Sequence, residues 1–476
     1  MLRLVAVAAA AAALAPLPTR PPVGARAVTK KAMSVSGGEV AKAPEAPWAV
    51  AGACAGAVLF GYHLGVVNTP LDAMARTLGF AGDAKVAGAV VSSTLVGATA
   101  GSLLGGAAAD RWGRRGAMVR NSFILAAAAA GCAAAGTVPQ LLAARLAAGV
   151  GIGIVSSITP LYISEVSPTA RRGAYGALNQ VAICVGILLS IATGLGVTPT
   201  SPGSRWRPMF AFALVPTLLH LALALKAPES PRWAGNKDKQ ASAARLWGAA
   251  AAAELGPAAA KSSDSDGGGS WAAMVSPAHR RATATAFLLF VQQQFAGINA
   301  VVYFSTKVFR EAGLQSAVLG SIAVALTNIL GTVCVATPLI DKFGRKAMLC
   351  SSYAGMAASM AVMAAAAATP ALAGTPALAA TSFLGTIAYI FAFSCGCGPV
   401  PGLLTPELFP SKLRAKGGSI GMLSHWGCNT VVGAAFLPLV AQLGLPAVYA
   451  GFAAVAAASA LFAKVAIEET SGAALE

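Results

Sequence analysis

Long apolar blocks separated by short polar stretches dominate the chain. The blocks lie near 48–68, 86–108, 117–137, 139–164, 174–196 and 206–226, and again near 283–304, 315–338, 346–367, 376–403, 417–440 and 443–466. Most reach the roughly 18–20 residues that an α-helix needs to cross a bilayer. The pattern predicts an all-α membrane protein of twelve transmembrane helices. These form two six-helix bundles, 46–226 and 283–468, joined by a polar linker of helix and loop at 227–282. The blocks are rich in Ala and Gly, which lets helices approach closely in lipid. Pro160, Pro338, Pro399 and Pro401 fall inside blocks and mark places for kinks.

Composition supports a lipid solvent. Of the 476 residues, 56% are hydrophobic and 11% charged, where a soluble globular chain carries about 25% charged residues. Residues 121–144 and 347–406 hold no Asp, Glu, Lys or Arg. A soluble enzyme with buried core helices is the alternative, and the recurrence of charge-free stretches argues against it. The net charge of +17 invites a nucleic-acid reading. The basic residues, however, sit in short clusters between apolar blocks, which is how membrane topology is written. Loops after even-numbered blocks carry most of the Lys and Arg. Those loops and both termini therefore face the cytosol-like side, the inner side below. The eight cysteines lie almost all in apolar runs and read as small core residues. Cys395 and Cys397 make a CxC with no second Cys or His cluster beside it, so no metal and no cofactor are expected.

The first 45 residues differ in kind. Arg3, Arg20, Arg26, Lys30 and Lys31 precede the first carboxylate, Glu39, and residues 5–15 are nearly all Ala and Val. A secretory signal has a short charged start and an apolar middle, and MLRLVAVAAAAAALA could serve. A plastid or mitochondrial transit peptide is basic, acid-poor and hydroxylated. The basic stretch through Lys31, with Thr19, Thr29, Ser34 and Ser36, favours a transit peptide followed by the linker APEAPW at 43–48. Residues 469–476 read as a short tail.

The two halves repeat. GAAADRWGRR (106–115) and EVSPTARR (165–172) in the first answer DKFGRK (341–346) and ELFPSKLR (407–414) in the second. Twelve helices as two similar halves is the plan of a rocking transporter with its site near the midplane. With PLYISEVSPTARRG (160–173), PESPRW (228–233), QQFAGINAVVYFST (293–306) and PELFPSKLRAKG (406–417), the set spans nearly the whole chain after residue 45. In that order and spacing the chain resembles a sugar porter of the major facilitator superfamily. LFGYHLGVVN (59–68) and GPVPGLLTPELFPSKLRAKG (398–417) make it most similar to the plastid-envelope glucose transporters. The resemblance implies a small neutral sugar as cargo and the plastid inner envelope as its membrane. It implies no role for nucleic acid.

Charges at the block ends are candidates for an inner gate. They are Asp110, Arg114, Arg115, Glu165 and Arg172, answered by Asp341, Arg345, Lys346, Glu407 and Arg414. Topology alone needs only the positive charges. Carboxylates among them allow bidentate Arg–carboxylate pairs that form when helix ends meet and break when they part. The resemblance adds Glu229 and Arg232. Arg145 is an isolated charge within block 4, a functional candidate by default, with Glu165 as its expected partner or a core ion pair as the plainer role.

Residues 291–306, VQQQFAGINAVVYFST, place amides where lipid would penalise them. Unpaired amides in lipid cost several kcal/mol each, so they must face a polar interior. A sugar hydroxyl both donates and accepts without charge, and so does a carboxamide. Gln293, Gln294 and Asn299 reach one side if the turn near Gly297 is loosened, with Tyr303 four residues on to stack on a sugar ring or close over it. Gln292 points elsewhere. Asn179 and Gln180, Asn328, and His425, Trp426 and Asn429 lie in other blocks. The resemblance matches Gln180, Gln293, Gln294, Asn299 and Asn429 to sugar-contacting positions. An interhelical hydrogen bond is the plainer reading of each amide. The chain departs from the family at Gly402, Ser394 and His425, where many members carry tryptophan, glutamate and asparagine, and at the spacing of Asn328 to Asp341.

Proton-driven members carry an aspartate where this chain has His63, which can titrate near neutral pH or stay a neutral hydrogen-bonding group. With no other acid inside blocks 1, 5, 7, 10 or 11, facilitated diffusion is favoured. Proton symport at a plasma or endomembrane, and a sugar sensor that does not transport, are the alternatives. The chain's end soon after block 12 speaks against the sensor. No nucleophile–base pair or phosphate loop suggests an enzyme.

Overall fold

The computed structural model describes residues 46–167, 172–195, 205–231, 233, 246, 271–336, 339, 342–410 and 413–469. Its described residues form helices and connecting turns, with no strand among them. Among the described residues, ten helices are long and apolar enough to cross a membrane. One of them, Ala84–Ala134, holds two spans, and Arg172–Ala192, with its apolar stretch Leu178–Ala192, completes the expected twelve.

Span 1 is Ala46–Gly65, spans 2 and 3 share Ala84–Ala134, span 4 is Val138–Val166 and span 5 is Arg172–Ala192. Span 6 is Arg207–Lys226, span 7 Arg280–Glu311, span 8 Ala317–Cys334 and span 9 Arg345–Ala368. Span 10 is Pro376–Thr405, span 11 Lys416–Leu443 and span 12 Leu445–Ala466. The helix starts follow local chemistry. Asp83 caps span 2 through the N–H groups of Lys85 and Val86, and Thr137 and Thr375 cap spans 4 and 10.

Three breaks shape the bundle. Gly113 (φ 76°, ψ 164°) turns the chain between spans 2 and 3, a conformation that costs glycine little. Gly297 (φ 100°) divides span 7 into Arg280–Phe295 and Ile298–Glu311, the loosened turn that the amide spacing called for. Span 10 stops at Cys395 and restarts at Val400 around Pro399. Pro160, by contrast, stays within a continuous helix. Pro338 lies outside the described residues.

Small residues set the packing. A Cβ on Gly149 would lie 2.0 Å from Thr94 O, and one on Gly97 2.1 Å from Leu146 O, so spans 2 and 4 touch backbone to backbone. Large apolar side chains such as Leu103, Phe123, Leu218, Leu384 and Val465 point outward, where lipid covers them. All eight cysteines are free.

The halves meet at their outer ends. The beginning of span 2 packs on the end of span 11, where a Cβ on Gly88 would lie 2.5 Å from Ala434 O. Asn68 and Asp72, just past span 1, bind the outer half of span 7. The ion pairs described at the inner face each stay within one half.

Candidate functional site

The break at Gly297 gathers amides from both pieces of span 7 at mid-depth. Gln293 Nε2 donates to Cys397 O at 2.7 Å and Gly398 O at 3.3 Å, carbonyls freed by the break in span 10. Gln294 Nε2 donates to Gln293 Oε1 at 3.2 Å and to His425 Nδ1 at 2.9 Å; an amide NH2 has only protons to give, so the imidazole nitrogen accepts. Asn299 Nδ2 donates to Gln294 Oε1. One turn on, Tyr303 OH donates to Asn429 Oδ1 at 3.0 Å. Gln293, Gln294, Asn299, Tyr303 and Asn429 are all buried. Span 7 thus joins spans 10 and 11 in one polar layer inside the C-terminal half.

That layer is left with donors to spare. The Nδ2 of Asn429 and the indole Nε1 of Trp426, both fully buried, have no protein partner. A buried donor without a partner costs about 1–3 kcal/mol, so both suit a ligand that brings acceptors. Trp426 also reaches the other half, its ring 5.3 Å from that of Phe60 on span 1. Gln292 is half-buried with its Oε1 unpaired.

The N-terminal half, and span 8 of the C-terminal half, add less. Gln180 is half-buried on span 5 and donates only to Cys184 Sγ at 3.7 Å, a weak acceptor. Asn328 is buried on span 8, and no described side-chain hydrogen bond joins it or Gln180 to the span 7 amides. His63 is buried with its Nε2 unpaired. Arg145 does not meet Glu165. The two lie on one helix, twenty residues apart, which at 1.5 Å per residue is about 30 Å. The Arg145 guanidinium instead donates to the carbonyls of Val90 and Val91 on span 2.

At the inner face Arg114 grips Glu165 with two parallel bonds, Nε to Oε2 and Nη2 to Oε1, each 3.0 Å. It also reaches the exposed Asp110 at 3.4 Å. Glu229 accepts from the backbone N–H groups of Arg114 and Arg115, just past the Gly113 turn. The Arg115 side chain caps the end of span 6 at the carbonyls of Ala224 and Leu225. In the second half Arg345 pairs with Glu407 at 3.1 Å. Glu469 accepts from the N–H groups of Arg345 and Lys346. The expected charges do come together, but the described pairs bind helices within a half; none closes a seam between halves in this conformation. Arg232 and Asp341 lie outside the described residues, as do the side chains of Arg172 and Arg414.

Residues 48–476 match the family model described as "Sugar (and other) transporter". The chain belongs to the sugar transporter family. Relatives agree along its length. "Plastidic glucose transporter 4" of Arabidopsis thaliana is 43% identical over 431 residues, covering 89% of this chain and 78% of that protein. "Probable plastidic glucose transporter 1" of the same plant is 39% identical, covering 88% and 80%. Among solved structures, the partially occluded inward-open form of the xylose transporter XylE from E. coli superposes with a TM-score of 0.77 at 26% identity. It covers 90% of this chain and 99% of that one.

The transporter has functional-looking residues that sequence reading passed over. Glu469 was assigned to a tail, yet it stands three residues past span 12 as Glu229 stands three past span 6. The half-to-half repeat carried that signal. Asn68 and Asp72 at the outer end gave none, because an Asn and an Asp after a helix read as ordinary turn residues.

Proposed function

We propose that this transporter carries a neutral hexose, glucose first, across the inner envelope of plastids by alternating access and without proton coupling. The observation that carries the reading is the polar layer of Gln293, Gln294, Asn299, Tyr303 and Asn429, with the unpaired N–H groups of Asn429 and Trp426 beside it. Such a layer offers uncharged donors and acceptors in lipid surroundings, which matches a polyol better than an ion. Gln180 completes it when the halves approach, and Asn328 joins it from span 8 of the C-terminal half. The family and its plastidic relatives support the cargo and the address. The inner Arg–carboxylate clusters, with Asp110, Arg172, Arg232, Asp341 and Arg414, form the gate on the stromal side. Residues 1–45 direct the chain to the plastid.

Facilitation rests on the surroundings of Arg145. Its charge is met by backbone carbonyls, and histidine stands where the proton-driven members have an acid. One experiment tests cargo and coupling together: labelled glucose uptake into liposomes with a trapped pH dye. The expected result is saturable uptake with no sugar-dependent pH change. Uptake with sugar-dependent acidification of the trapped dye overturns the facilitator reading in favour of symport, and absence of uptake overturns the cargo. A reporter fused to residues 1–45 should enter plastids; a secreted reporter contradicts the address.

A further inference from the structure

Two arginines at the inner face stand outside the Arg–carboxylate pairs. Arg111 and Arg120 both lie over the ring of Trp112, their guanidinium carbons 5.6 and 5.0 Å from its centroid. All three residues are exposed, Trp112 by 40%. Among the described residues neither guanidinium meets a carboxylate, and the neighbouring Asp110 is held by Arg114. Arg120 spends one N–H on Gly116 O at 3.1 Å. Its fold-back depends on that glycine, because a Cβ there would lie 3.1 Å from Arg120 Nη1. Arg120 stands two turns into span 3 from Gly113, about 10 Å along the helix, and a long basic side chain at that depth bends back to the interface. One turn further, on the same face of the helix, the exposed Phe123 and Ile124 point outward.

The second half builds the same turn without this arrangement. With Asp341 laid on Asp110, Lys342 and Phe343 stand for Arg111 and Trp112, and Ser351 stands for Arg120. Ser351 donates to Met348 O within its own helix, and no cation is described over the ring of Phe343. Yet Glu469 accepts the N–H groups after that turn as Glu229 does after the first. Two cations over one ring repel each other, and at a wet surface the ring attracts each only weakly. An anion beside them turns the arrangement favourable, since the arginine fork fits a phosphate or sulfonate with two parallel bonds. Trp beside Arg at the inner end of a span is the composition of a membrane interface, and the leaflet there offers anionic headgroups at this depth. Phe123 and Ile124 add an apolar surface that a free anion would not use. We propose that Arg111, Trp112 and Arg120 form a site for the anionic headgroup of one lipid of the inner leaflet, with its acyl chain along Phe123 and Ile124. The lipid braces the joint of spans 2 and 3 from outside, while Glu229 braces it from within.

Lipid binding involves no sugar, so it stands or falls apart from the carrier function. Full-length protein in neutral detergent is titrated with phosphatidylglycerol, and bound lipid is counted by native mass spectrometry. Wild type should hold one phosphatidylglycerol more tightly than the rest. Arg111→Gln with Arg120→Gln should weaken that site about thirtyfold and Arg120→Ser about fivefold, the scale of two and of one basic residue at an anionic leaflet. Arg120→Ser, which installs the residue of the other half, carries the test if the double variant does not fold. Lys342→Gln in the second half should leave the tight site unchanged. Phosphatidylcholine should bind wild type and variants alike, and excess inorganic phosphate should not displace the phosphatidylglycerol. Equal retention of phosphatidylglycerol by wild type and Arg120→Ser overturns the site. So does an equal loss in Lys342→Gln, which means diffuse attraction to the basic face, and so does displacement by phosphate, which means a site for a soluble anion.

Discussion

Glu229 accepts the backbone N–H groups of Arg114 and Arg115 after Gly113, and Glu469 accepts those of Arg345 and Lys346 after Gly344. Both glycines hold nearly the same left-handed turn, φ 76° and 83°. Each arginine then reaches a carboxylate on another helix of its own half, Glu165 or Glu407. Halfway through the membrane this likeness ends. The C-terminal half supplies a linked layer of amides, an imidazole and a phenol, and the N-terminal half supplies Gln180 with a sulfur partner and the isolated Arg145 and His63. The duplicated parts tie helix ends together within each half in this conformation, and on the proposed function they serve both halves alike as the halves rock. On the proposed function, the unlike parts do what happens once, which is to hold the cargo.

The sharpest way to break the likeness is to remove the arginine from each half. Glu165 is 3% exposed and its partner Arg114 12%, so Arg114→Ala strands a buried carboxylate and should cost about 3 kcal/mol. Glu407 is 17% exposed, so Arg345→Ala should cost about 1 kcal/mol. Melting temperatures in one detergent compare the two; equal losses mean that the halves are more alike than the burial says. Recognition should be as lopsided. Gln293→Ala should cut glucose kcat/KM about tenfold, since it removes a hub of the layer and frees two carbonyls. Gln180→Ala should cut it roughly threefold, the scale of one weak interhelical bond. Comparable losses at both sites, read from initial uptake rates, would place the cargo between the halves rather than on the C-terminal one. Trp426→Phe is the finest probe. It keeps the ring against Phe60 and His425 and deletes one N–H, so affinity should fall by about two- to fivefold with unchanged stability.

Much of this was legible in the residues because lipid leaves few choices. Charge cannot be spread through a span, so charge-free runs gave the spans, and the amides at 293, 294 and 299 had to turn inward. The Gly297 break was legible for the same reason: Gln293 and Asn299 share a side only across a loosened turn. Glu165, the partner expected for Arg145, stands twenty helical residues away on the same helix, and backbone carbonyls of span 2 meet the guanidinium instead. The contacts of Asn68 and Asp72 with span 7 were hidden because they join residues more than two hundred positions apart with no periodicity to announce them. Whether the inner pairs would fall within or between the halves was also beyond the sequence, since a moving protein carries one sequence through several arrangements.

The central claim is that the span 7 amides receive the sugar. Isothermal titration of glucose into the purified protein, wild type beside Gln293→Ala at matched melting temperature, tests it without requiring transport. The account predicts a measurable Kd for wild type and one about tenfold weaker for the variant. Equal affinity in two equally folded proteins would contradict it.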